Sequence, residues 1–252
     1  ALAGYTADQL ASIGAGSGRL QLVGAGATNA QTVASTLIGT GASEIVLAGN
    51  GVNALMLNLG ALTRVKGGTL AIANPPTVAL SATNGVLTSS GSSGNLITDA
   101  NGTAYVVLGS SAATSTDWGA KNSGGWLSAP TYTSTVAATT TYASGNNLDV
   151  VNSNTGNWVT QTINSLRFNS TNAYTATIAS GSTLTLATGG ILFGSSAASS
   201  TLTGGTIIPG AGRELVIFSS GNTFTINSVL GNSAGGASDV TYRGVEGLGL
   251  GK

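Results

Sequence analysis

Ser182 to Ile207 reads STLTLATGGILFGSSAASSTLTGGTI, and this stretch decides the fold. Thr183-Leu184-Thr185-Leu186 alternates polar with apolar, which is the period-two signature of a half-buried strand. Gly189-Gly190-Ile191-Leu192 then marks a corner followed by a second apolar run. Thr201-Leu202-Thr203 repeats the first motif eighteen residues on, and Gly204-Gly205-Thr206-Ile207 repeats the second. The same Gly-Gly-x-apolar unit stands at Gly67 to Leu70 and at Gly124 to Leu127. A period of 15 to 20 residues is about one coil of a parallel β-helix, in which glycine permits the corners and small residues let coils stack. On that period the chain makes about twelve coils, each advancing about 4.8 Å. A β-sandwich with Gly-rich hairpins is the alternative that these spacings leave open.

Further strands read outward from this stretch: Arg19 to Val23, Glu44 to Leu47, Ala54 to Leu59, Thr69 to Ala73, Thr77 to Ser81 and Ala104 to Leu108. Asn147 to Val151, Ala173 to Ile178, Glu214 to Phe218 and Thr223 to Ile226 complete the set. Asn50-Gly51, Asn84-Gly85 and Asn101-Gly102 supply turns that tolerate positive φ. One helical turn is expected at Thr6 to Ile13, with Thr6 as cap and Gly14 as stop. The expected organisation is an N-terminal segment or cap over 1–18, coils over 19–108, a Gly/Ser/Thr-rich insertion with aromatics over 109–146, and coils over 147–252.

Composition removes most enzyme chemistry. The 252 residues include no histidine and no cysteine, and only 6% are charged. A Ser/His/Asp or Cys/His nucleophilic system, a zinc site of the usual ligands and a disulfide framework all need residues that this chain lacks. Eight basic residues balance eight acidic ones, so no basic stripe is present to neutralise a phosphate backbone, and nucleic acid is not an expected partner. With 41% apolar residues the chain can bury a core. No stretch reaches the roughly 18 consecutive apolar residues of a membrane helix. The start at Ala1, without an initiator Met or a signal peptide, suggests a processed segment of a longer exported precursor.

The serial order of several motifs resembles the proteins with autotransporter-associated β-strand repeats, long secreted or surface passengers of planctomycetes, verrucomicrobia and proteobacteria. Asn53 to Gly68 (NALMLNLGALTRVKGG), Thr83 to Leu87 with Thr103 to Val107 and Thr116-Asp117-Trp118, Asn164 to Phe168 (NSLRF), and Glu214 to Ile217 carry the resemblance. It covers most of the chain from Gly18 to Val240 and departs at Thr241 to Lys252, TYRGVEGLGLGK. The resemblance implies a right-handed parallel β-helix displayed outside the bacterial cell, and it transfers no catalytic motif.

Candidate sites are few. Asp8, Glu44, Asp99, Asp117, Asp149, Glu214, Asp239 and Glu246 lie at least seven residues apart. A glycosidase-type carboxylate pair, about 5 to 9.5 Å apart, would have to be assembled by stacking. Asp99 to Gly102 and Gly235 to Asp239 carry partial calcium-loop patterns, both better read as turns. No cofactor or metal is expected. Tyr105, Trp118, Trp126, Tyr132, Tyr142 and Trp158 concentrate in the middle. They read either as core plugs beneath the insertion or as a glycan-stacking row, for which Trp118, Trp126, Tyr132 and Trp158 are the candidates. Asn and Thr at matching places in successive coils are expected to form side-chain ladders. The expectation is a non-catalytic, extracellular structural protein of bacteria whose partners are other copies of itself, assembling through its ends or edge strands. A glycan-binding adhesin is the alternative.

Overall fold

A computed structural model describes residues 18–24, 29–48, 54–73, 85–244 and 247–251. The expected helical turn at Thr6 to Ile13, the strand at Thr77 to Ser81, the turn at Asn50-Gly51 and Asn84 of the next turn lie outside these residues. Among the described residues the chain is strand throughout, apart from turns and one 3-10 turn at Ala112–Thr114. Its strands stack in parallel coils, so the protein is an all-β parallel β-helix, or β-solenoid. Two compact units form, Ala1–Ala100 with Tyr105–Pro130 and Asn101–Ala104 with Thr131–Lys252. The aromatic segment 109–146 is thus divided after Pro130 between them.

The first unit has three faces. Gly18–Val23, Gly41–Ala48, Gly68–Ala73 and Val106–Gly109 stack on one, and Asn29–Thr32, Leu55–Asn58 and Gly85–Leu87 on the second. Ser35–Ile38 and Ala61–Arg64 make the third. Alternation decides what points inward: in Gly41–Ala48 the side chains of Ser43, Ile45 and Leu47 are buried while their neighbours are partly open. Ile45, Leu47, Leu57, Leu70 and Ile72 belong to one apolar core. Gly18 lies opposite Ser43 and Gly41 opposite Gly68, circuits of 25 and 27 residues, and the circuit from Leu70 to Val106 takes 36. The parallel stack then ends in antiparallel pairing. The short connection through Ala112–Thr114 returns Ser115–Trp118 against Val106–Gly109, because a parallel return would need a full crossover.

The second unit also winds through three faces, and its long strand Thr183–Phe193 serves two of them. Thr183 to Leu186 pair with Thr206–Pro209, whereas Gly190 to Phe193 pair with Leu215–Ser219. The corner between them is Gly189, with φ +69°; a Cβ there would run into the Glu214 carbonyl oxygen of the next coil. Thr175–Thr177, Ser200–Thr203, Phe224–Ile226 and Leu248–Leu250 form the third face.

This register corrects the expected period. Thr183 lies opposite Thr206 and Gly190 opposite Val216, giving circuits of 23 to 26 residues. Thr183 to Thr185 and Thr201–Thr203 sit on different faces of the same coil, so their eighteen-residue spacing measures the way from one face to another. The parallel partner of Thr201 is Thr175. Among the described residues, circuits of 15 to 18 residues occur only where the second unit begins, with Thr133 opposite Leu148 and Asn147 opposite Ser165. Longer circuits mean fewer of them: about 8 turns, not twelve.

The interior of the second unit is apolar and aromatic. Phe193 stacks on Phe224 with ring centroids 4.8 Å apart and planes 13° from parallel, and Phe168 lies 5.1 Å from Phe224. Each fully buried ring contributes about 2 to 3 kcal/mol by removal from water. Polar side chains tie the coils together differently from the expected ladders. Asn164 Nδ2 donates to Asn147 Oδ1 at 2.7 Å, and the Ser165 hydroxyl donates to the same oxygen at 2.8 Å. Elsewhere the bonds run mainly from side chain to backbone. Asn154 Nδ2 donates to the Thr177 carbonyl at 2.8 Å, and Thr88 Oγ1 donates to the Gly60 carbonyl at 2.7 Å. The reason is geometric: corners interrupt the strand ladder, and Asn and Thr are short enough to satisfy the backbone groups left over.

Candidate functional site

Two of the four candidate stacking rings are enclosed. Trp118 closes the antiparallel edge of the first unit and is fully buried. Trp158 is fully buried in the core of the second, edge-on to Tyr142 at 6.1 Å. A ring with no exposed face cannot stack on a sugar, so both are core plugs. Trp126 is half-buried, bridges to Leu87 and packs against Gly124. Tyr132 is half-buried too, but the Arg167 guanidinium sits 3.6 Å from its ring centroid and is itself paired with Asp149. The stacking face of Tyr132 is therefore already in use.

The acids are likewise engaged one at a time. Glu44 pairs with Arg19 at 3.2 Å and Asp99 with Arg64 at 3.3 Å. Asp117 accepts a hydrogen bond from Thr116 Oγ1 at 2.8 Å, and Glu214 accepts one from Thr241 Oγ1. Among the described residues no three acids come together. Asp8 and Glu246 lie outside the described residues. Of the two calcium-like stretches, Asn101 turns its carbonyl to Arg213 Nε at 2.9 Å, and Gly236 donates to the Ser233 carbonyl at 3.2 Å in a tight turn.

The first unit also buries a polar cluster that sequence reasoning did not find. The Arg64 side chain is wholly enclosed beside Asp99 and lies 5.3 Å from the Tyr105 ring. Burial pushes the Tyr105 phenol well above its ordinary value; the Arg64 charge opposes this and Asp99 adds to it. The Tyr105 hydroxyl has no hydrogen-bond partner among the described residues.

The most distinctive surface is the last coil of the second unit. Val229–Leu230, Val240–Gly244 and Leu248–Leu250 pair on one side with the coil before and have no described strand on the other. Val240 and Tyr242 stand in register with Leu215 and Ile217, which are core residues. They occupy the same inward positions but are 52% and 41% exposed, against 1% and 0%. Leu250, opposite the buried Ile226, is 61% exposed. Among the described residues no strand covers these positions, which stand beside a row of edge backbone groups. In the sequence these residues carry only a faint signal, the alternation Val240-Thr241-Tyr242 and Leu248-Gly249-Leu250.

No protein-family profile, curated protein or solved structure matches the chain.

Proposed function

We propose that this chain is a non-catalytic structural protein of the bacterial cell exterior. In this reading it is a β-solenoid building block of a fibre or surface layer that assembles with other copies of itself through the edge of its last coil. The observation that supports the reading is the parallel register itself: each coil presents the next with a complete edge, so a coil of another copy can continue the stack from the outermost described strands. A strand added there gains backbone hydrogen bonds, and its inward side chains cover Val240, Tyr242 and Leu250. The low charge of the chain favours such stacking, since like charges about 4.8 Å apart would repel. The extracellular and bacterial parts of the proposal rest on the sequence resemblance.

Sedimentation velocity over a wide concentration range, beside electron microscopy of the same samples, tests assembly. The parent chain should form larger species as concentration rises. A Val240→Lys/Tyr242→Lys variant, with charges placed on the open edge, should remain monomeric with an unchanged circular dichroism spectrum. A parent chain that stays monomeric throughout, or a double variant that assembles equally well, refutes the proposal.

A further inference from the structure

The corner between the third and first faces of the second unit is built differently in successive coils. In one coil it takes the five residues Ile178 to Ser182, where the Ser182 amide closes a turn on the Ala179 carbonyl at 3.0 Å. In the next it is only Gly204-Gly205, pressed against Ile178 so closely that a Cβ on either glycine would run into that residue. Beside these unequal corners lies an open groove of about 490 Å³, lined from Asn157 through Thr177, Ser180 and Gly181 to Thr206 and Val229. Its lining draws on four successive coils, since Trp158, next to Asn157, bridges to Ile178, Thr183 pairs with Thr206, and Thr206 with Val229. The groove therefore follows the direction in which coils stack.

We infer that this groove binds a neutral, extended polysaccharide strand, a property beyond the structural role proposed above. Three observations fix the chemistry. First, the lining residues carry hydroxyls, an amide and apolar surface but no charge, which disfavours phosphate or uronate polymers. Second, three amides of the wall are already committed to neighbouring coils: the Ile178 amide donates to the Thr203 carbonyl at 2.8 Å, Thr206 to Ser182 at 2.9 Å and Val229 to Gly205 at 3.1 Å. A peptide strand adding by backbone pairing would find these three amides already taken. Third, the side chains of Asn157, Ser180 and Thr206 make no hydrogen bond to another described residue, so their donors and acceptors are available to sugar hydroxyls. A Cβ at Gly181 would meet nothing within 4 Å, which leaves room for a ring beside it. The step between coils, about 4.8 Å, is close to the length of one sugar ring along a β-1,4-linked chain. Successive rings thus meet successive coils, and the exposed Val229 offers an apolar contact for a ring's C–H face.

Titration of the ¹⁵N-labelled chain with cellohexaose, followed by amide chemical shifts, tests this. Saturable shifts should appear at Ser180, Gly181, Gly204, Gly205 and Thr206. The Ser180→Leu/Thr206→Leu variant, which removes two hydroxyls and fills space, should bind at least about tenfold more weakly, the equivalent of one or two hydrogen bonds. Thr171→Leu, an exposed substitution outside the groove, should bind as the parent does. The inference is overturned by an absence of saturable shifts, by shifts centred elsewhere, by undiminished binding in a correctly folded double variant, or by equally tight binding of hexagalacturonate.

Discussion

Replacing Phe193 by Ala should open the middle of the second unit's core. The ring is fully buried, stacked on Phe224 at 4.8 Å and 6.2 Å from Phe168, so no single neighbour can move to fill its place. Loss of transfer free energy costs about 2 kcal/mol. An unfilled void of about 100 Å³ adds about 2.4 kcal/mol at about 24 cal/mol per Å³. The sum, about 4 kcal/mol, lies within the roughly 3 to 5 kcal/mol usual for Phe→Ala in a core. Phe193→Leu keeps most of the volume and loses mainly the stacking, so it should cost about 1 to 1.5 kcal/mol. Hydrogen exchange reads this locally. Slow amides of Leu166, Ile191 and Ile217, paired strand to strand around the void, should exchange about a thousandfold faster in the Ala variant and about tenfold faster in the Leu variant. An Ala variant that exchanges within tenfold of the parent, or Leu and Ala variants that are alike, would refute the picture of a tightly filled aromatic interior.

Three further outcomes follow from other parts of the structure. Asn147→Ala removes the acceptor shared by Asn164 and Ser165 and should lower the urea-unfolding free energy by about 2 kcal/mol, with buried donors left unpaired. Gly189→Ala and Gly181→Ala impose similar positive φ, +69° and +76°, but only the first meets a carbonyl of the next coil. Thermal unfolding should show a cost of about 1 kcal/mol at Gly181 and about 3 kcal/mol at Gly189. Tyr105 keeps its proton in the folded chain beyond the pH at which the unfolded chain loses it, near 10. Its contribution is therefore fully present below pH 10 and falls by about 1.4 kcal/mol per pH unit above it. Tyr105→Phe should abolish that alkaline loss without lowering stability at pH 7, as measured by urea unfolding from pH 8 to 11.

Strands with clean alternation were legible in the sequence because burial on one side and solvent on the other leave a period of two. Gly41–Ala48 and the start of Thr183–Phe193 are of this kind. Ser35–Ile38 and Ala61–Arg64 were not legible, because neighbouring faces follow after only two or three residues and the short runs merge with their turns. The true circuit was hidden for a related reason. Two faces of one coil carry the same Thr-Leu-Thr run, so the nearest repeat in sequence is another face of that coil and not the next coil. Burial of Trp118 in the first unit and of Trp158 in the core of the second is a tertiary fact with no local signature. The open edge at Val240 and Tyr242 and the groove at the unequal corners depend on register, which becomes visible only once the strands are paired.

Cryo-electron microscopy of native material, released from cells without denaturant, tests the central claim most directly. The account predicts ordered fibres or layers in which Val240, Tyr242 and Leu250 of the last coil are covered by strands of a neighbouring copy. Discrete single molecules at concentrations well above those on the cell surface would contradict it, as would an assembly whose contacts leave that edge open or a longer chain whose own next coil covers it.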